Sequence, residues 1–121
     1  MNNDSVQLKI PSKPDYISLV RLTASSIGHK CGLNIDEIED IKVSIAEACI
    51  NSLSLTEKET IFIDFNINED RLLIKVSDTK KNIPEGLEEA KDRELGILII
   101  TSLMDEVEFN DIGIEMTKYF E

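Results

Sequence analysis

Glu47 and Asn51 stand four residues apart, one helical turn, inside the stretch Asn34 to Leu55, NIDEIEDIKVSIAEACINSLSL. A carboxylate and an amide on one face have usable chemistry. The amide oxygen is a hard ligand for a divalent cation such as Mg²⁺, which takes few protein ligands and leaves the rest to water and substrate phosphates. The carboxylate can receive a proton from a hydroxyl or water polarised beside it. The same spacing also suits a solvated polar strip on an amphipathic helix. The helix alone leaves both readings open.

The stretch is well marked as a helix. Asn34 can N-cap it, Glu37 completes a capping box, and Leu33 can staple onto Ile38. At helical period Ile38, Ile41, Ile45, Ala48, Cys49 and Ser52 fall on one side, and Val43, Ala46, Ile50 and Leu53 on the other. Asp36, Asp40, Ser44, Glu47, Asn51 and Ser54 share a narrow strip between these walls. Such a helix is enclosed by its neighbours, with the strip near the rim of a core.

The remaining elements follow from pattern. Ser5 to Ile10 alternates as a short strand that Pro11 ends. Ser12, Pro14 and Asp15 make a helix entrance, Ser12 and Asp15 having capping-box spacing. Ile17, Val20, Ala24, Ile27 and Cys31 form that helix's buried stripe, with Arg21, Ser25 and Gly28 away from it, and Gly32 suits its C-terminal cap. Thr56 to Glu59 is a polar connector. Ile61, Ile63, Phe65 and Ile67 alternate, as do Leu72, Ile74 and Val76, so Asn68 to Arg71 turns an antiparallel hairpin. Asp78 ends the second of these strands. Lys80 to Arg93 is charged and contains Pro84 and Gly86, which predicts a loop with at most one helical turn. Glu94 to Asp105 reads as a third helix with Leu95, Leu98, Ile99, Ser102 and Leu103 inward. Val107 to Asn110 and Ile114 to Phe120 close the chain as a second hairpin. The order β-α-α-β-β-α-β-β predicts an α+β fold, a two-layer α/β sandwich with helices on one face of a mostly antiparallel sheet.

The chain has 121 residues, 41% of them hydrophobic and 31% charged, which predicts a single domain over 1–121. A formal charge of -11 argues against nucleic acid as a partner and suits one with a basic surface. Cys31 and Cys49 have no metal-ligand spacing and read as buried thiols of a reducing compartment. No apolar run reaches membrane-spanning length, so a cytoplasmic protein is expected. His29, the lone histidine, sits near a helix end, where the dipole favours a surface cation.

DIKVSIAEACINS, with VSD at Val76 to Asp78 and LGILIITSLMDEVEF at Leu95 to Phe109, resembles the anti-sigma-factor serine kinases of the RsbW/SpoIIAB type. These belong to the ATPases that include histidine kinases, gyrase, Hsp90 and MutL. VRLTAS at Val20 to Ser25 and MTKY at Met116 to Tyr119 look like the same family's text, so the likeness spans about Ile10 to Tyr119. The resemblance implies the histidine-kinase-like (Bergerat) fold, ATP and Mg²⁺ as cofactors, and a homodimer that sequesters a sigma factor and phosphorylates an anti-anti-sigma protein. It gives Glu47 the role of general base and Asn51 that of Mg²⁺ ligand. Asp78 would read the exocyclic amine of adenine, and Gly96 would let the phosphates approach. Arg21, on the first helix, is the implied anchor for the partner.

This chain departs from the family pattern at its glycines. Lys80 and Asn82 stand where the adenine box has glycine, and Glu94 replaces the first glycine before the last helix. A side chain there takes room, and a carboxylate beside phosphate adds repulsion on the order of several kcal/mol. Lys80, Lys81, Lys91 or Arg93 could offset it. Ser54 and Leu55 stand where a polar pair is usual, and the segment from Asp78 to Glu94 is short for a lid. These departures favour an alternative, a kinase-dead anti-sigma-like binding module with weakened nucleotide binding. A sensor histidine kinase fragment is disfavoured, because no phosphoacceptor helix precedes the domain.

Overall fold

Residues 3–120 are described by the structure, a computed structural model. Along the chain run strand β1 (Asp4–Pro11), a 3-10 turn (Pro14–Tyr16), helices α1 (Ile17–Lys30) and α2 (Ile35–Leu55), strands β2 (Thr60–Ile67) and β3 (Arg71–Ser77), helix α3 (Ala90–Leu103), and strands β4 (Glu106–Phe109) and β5 (Gly113–Tyr119). This is the element order that the hydrophobic pattern predicts. The strands make one sheet in the order β1-β2-β3-β5-β4, antiparallel at every seam.

The register explains the layers. Ile63 pairs with Val76, Phe65 with Ile74 and Ile67 with Leu72, and Ile74 and Val76 pair on with Met116 and Ile114. Because strand side chains alternate, these residues share one face, and all are buried. The core continues into Val20, Ala24 and Ile27 of α1, Ile38, Ile41, Ile45, Ala48 and Cys49 of α2, and Ile100 of α3. Burying each large aliphatic chain stabilises the fold by about 1.5–3 kcal/mol. The opposite face of the sheet carries Lys9, Phe62, Asp64, Lys75 and Glu115, none of them buried. The result is the expected two-layer sandwich.

The helix ends carry their own information. Asn34 and Glu37 form the capping box that the sequence predicts: each side chain accepts the other's backbone N–H, at 2.8 and 2.9 Å. At the end of α1, Gly32 donates to His29 O and Leu33 to Gly28 O, both at 3.1 Å, with Gly32 at φ 81°, so two orphan carbonyls are satisfied. The box expected from Ser12 and Asp15 does not form. A 3-10 turn precedes α1, no side chain caps it, and the Ser12 hydroxyl is buried without a partner. Gly28, expected away from the stripe of α1, is buried where α2 crosses, against Ile38 and Ile41.

Helix α3 corrects the sequence reading twice. It starts at Ala90 rather than Glu94, since Ala90, Lys91 and Arg93 are good helix formers and Asp92 complements the dipole in the first turn. Its inward positions are Gly96 and Ile100, with Arg93 on the same side. Leu95 and Leu98 are 55% and 63% exposed. The face is rotated so that Gly96 of α3 lies against Glu47 of α2.

Candidate functional site

The expected site residues come from three separate elements. Along α2 the polar strip is partly covered: Ser44 is fully buried and Asn51 is 3% exposed, while Glu47 is half-buried. The solvated reading of the strip therefore fails at Ser44 and at Asn51, over which the loop after β3 lies.

Gly96 packs against Glu47. A side chain at position 96 would run into the Glu47 carboxylate, so this glycine allows the close approach of α3 to the candidate base. Arg93, one turn earlier on α3, has its Nη1 3.9 Å from Glu47 Oε1. The pair is an ion contact but too long for a hydrogen bond. The Arg93 side chain is 11% exposed, and its Nε and Nη1 are buried with no hydrogen-bond partner.

Asn51 is held by the loop that follows Asp78. Its Nδ2 donates to the carbonyl of Lys80, and its Oδ1 accepts the backbone N–H of Lys80, each at 3.0 Å. The amide thus acts like a strand partner and pins the loop to α2. Thr79 is buried, its hydroxyl donating to Val76 O. Lys80, Asn82 and Glu94 are exposed.

Asp78 ends β3 in the left-handed region at φ 61°, where Asp is among the few non-glycine residues tolerated. Its N–H donates to Ile112 O at 2.8 Å. Its carboxylate pairs with Lys58 Nζ at 3.0 Å, the Asp78 side chain being 19% exposed. One open cleft beside it is lined by Thr79 to Asn82 and Phe109 to Ile112, another by Leu55 to Lys58. Glu47 and Asn51 line neither.

Glu47, Asn51, Asp78 and Gly96 thus sit along one seam, where the first two turns of α3 and the loop after β3 meet the second half of α2. Along it lie a carboxylate at a strand end, a carboxylate and an amide on a helix, and a guanidinium whose Nε and Nη1 have no hydrogen-bond partner. Among the described residues no cluster of three or more His, Cys, Asp or Glu has metal-site geometry. Arg21 is distant in kind from this seam. It is exposed on α1 beside exposed Leu19 and Leu22, and its charge helps the Lys42 hydrogen bond and charge to lower the Glu39 carboxyl.

Sequence reasoning placed Glu47, Asn51, Asp78 and Gly96 here, and named Arg93 only as one of four cations near the loop. It missed Lys58 as the partner of Asp78. The spacing of Arg93 and Gly96, i and i+3, was the signal available for the former.

Residues 10–118 match the sequence model of the histidine kinase-like ATPase domain. The chain is 30% identical to the Serine-protein kinase RsbW of Bacillus subtilis strain 168, covering 98% of this chain and 87% of that protein. It is 33% identical to proteins of the same name from Bacillus cereus strain AH187, covering 98% and 86%, and from Listeria innocua serovar 6a, covering 97% and 88%. The alignment to the Bacillus subtilis protein runs over 139 residues against the 121 of this chain, so that relative has insertions with no counterpart here.

Proposed function

This chain belongs to the RsbW-type family of histidine kinase-like ATPases, and from that premise we propose that it is an ATP-dependent protein serine kinase and anti-sigma factor. Its partners would be a sigma factor, which it sequesters, and an anti-anti-sigma protein, whose serine it phosphorylates. The observation that carries the reading is the convergence of Glu47, Asn51, Asp78 and Gly96 on one seam from three elements. ATP with Mg²⁺ supplies a transferable phosphoryl group, and phosphoryl transfer asks the protein chiefly for positioning and charge.

Glu47 would accept the proton of the substrate serine. Asn51 would hold Mg²⁺ through Oδ1, exchanging its bond from Lys80 N–H for the cation. Asp78 would accept from the adenine amine, in exchange for Lys58, and Gly96 would let the phosphates approach. Arg21, with Leu19 and Leu22, would anchor the partner in a homodimeric, cytoplasmic complex free of nucleic acid. Among the described residues no helix is long and apolar enough to cross a membrane.

Calorimetric titration with ATP and ADP, with and without Mg²⁺, tests the pocket, and phosphotransfer to the antagonist tests the chemistry. Glu47→Ala should reduce phosphorylation at least ~100-fold while nucleotide still binds. Transfer at the wild-type rate would overturn the base assignment. A second reading, a binding module without kinase activity, is favoured by the engagement of both ends of the Asn51 amide with Lys80. Absence of binding at millimolar nucleotide, with retained sigma-factor binding, would establish it.

A further inference from the structure

Among the described residues, Arg93 is the cation at the seam whose state the fold leaves unfinished. Its guanidinium is permanently charged and offers five N–H donors in a planar fork. Burial has removed water from Nε and Nη1. The neighbouring Glu47 oxygen, at 3.9 Å from Nη1, neutralises the charge without completing its hydrogen bonds. Buried donors normally find partners, and a fork of this shape is best completed by the paired oxygens of a phosphate. The exposed lysines nearby, Lys80, Lys81 and Lys91, are solvated and have no such deficit.

Resting on the kinase reading above, we propose that Arg93 is a positioning residue that senses the terminal phosphate of the nucleotide, holding Glu47 until that phosphate replaces it. The candidate base is engaged by a guanidinium and covered by Gly96. Phosphate oxygens reaching Nε on one edge of the guanidinium and Nη1 on another satisfy the donors that Glu47 leaves open, so Arg93 turns from carboxylate to phosphate. Glu47 is then free to meet the substrate hydroxyl. The arrangement also answers the charge of Glu94, since Glu94 is exposed whereas Arg93 is buried and on the inward side of α3. It makes the triphosphate the preferred ligand, and it leaves the base engaged when only diphosphate is present.

The test is a double-mutant cycle read by calorimetry on the full chain, using ATP and ADP with Mg²⁺. Wild type should prefer ATP over ADP at least about tenfold. Arg93→Gln should bring that preference close to unity, and Arg93→Lys should restore part of it. Glu47→Gln should tighten ATP binding several-fold when Arg93 is present and leave it unchanged in the Arg93→Gln background. Thermal melts confirm that each variant is folded, and the Glu47→Gln arm stands without any change at Arg93. Equal affinity of wild type for ATP and ADP would overturn the sensor while leaving the kinase reading intact. Parallel loss of ATP and ADP in Arg93→Gln, or a Glu47→Gln gain that persists without Arg93, would also overturn it. Absence of any nucleotide binding to wild type would overturn the sensor together with the reading on which it rests.

Discussion

Asn51→Ala separates the structural duty of this side chain from its chemical one. In the folded protein its amide makes two 3.0 Å bonds to the backbone of Lys80. Neutral hydrogen bonds of this kind contribute about 1 kcal/mol each. Lys80 is exposed, so water can reach its freed N–H and C=O, which brings the expected loss to about 1–2 kcal/mol. For a domain of this length that is a fall in Tm of roughly 4–8 °C. The Lys80 amide should exchange with solvent about tenfold faster or more, since 1.4 kcal/mol is a factor of ten. Hydrogen exchange followed by NMR reads the amide directly. An unchanged Lys80 exchange rate and a Tm within a degree of wild type would refute the clasp. The same probe tests the metal role: ATP with Mg²⁺ should accelerate Lys80 exchange in wild type if Oδ1 leaves the N–H for the cation. Slower exchange on binding would show that Asn51 keeps its clasp, and the metal assignment would fall.

Gly113→Ala should lose about 3 kcal/mol in urea unfolding. The new Cβ would press on the backbone carbonyl of Val76 and sit 2.9 Å from Ser77 Cα, atoms fixed by the β3–β5 ladder; a loss under 1 kcal/mol would show that the seam is looser than its register implies. Asn34→Ala removes the capping box of α2 and should lower stability by about 1 kcal/mol, while nucleotide and partner binding hold; a change in binding without one in stability would contradict a purely structural cap. Burial pushes the Cys49 thiol up to about 12. Its contribution to stability is full below about pH 8.5, the value of an unfolded thiol, and is lost as pH rises toward 12, because the unfolded chain then releases a proton that the native state retains. The alkaline fall in stability should therefore be shallower in Cys49→Ala than in wild type, and parallel slopes would refute the burial argument.

The sheet and its order of elements were legible because strands buried on one face write a period of two, and Ile61 to Ile67 and Leu72 to Val76 do so without interruption. The start of α2 was legible from Asn34 and Glu37. The rotation of α3 was not, since Leu95, Leu98, Ile99 and Leu103 satisfy a helical period as well as Gly96 and Ile100 do. What decides between them is a contact 49 residues away, the Glu47 carboxylate resting on Gly96. The Asn51–Lys80 clasp was invisible for the same reason: a backbone N–H and C=O are present at every position and carry no signature in the sequence.

That clasp changes how the missing glycines should be weighed. From sequence, Lys80 and Glu94 are obstructions where the family has open backbone. In the fold Lys80 and Glu94 are exposed, and it is the main chain of Lys80 that faces α2. For a nucleotide at the proposed site, one barrier would be an opening equilibrium of this loop. Releasing two neutral bonds takes about 2 kcal/mol, and releasing Asp78 from Lys58, whose side chain is 71% exposed, at most about 1 kcal/mol. Together this is about 3 kcal/mol, which weakens an otherwise competent site by roughly a hundredfold. A pocket of intrinsic micromolar affinity would still bind ATP near 100 μM, below cellular millimolar levels. The seam would therefore weaken nucleotide binding without abolishing it, and ATP itself should open the loop that closes over Asn51.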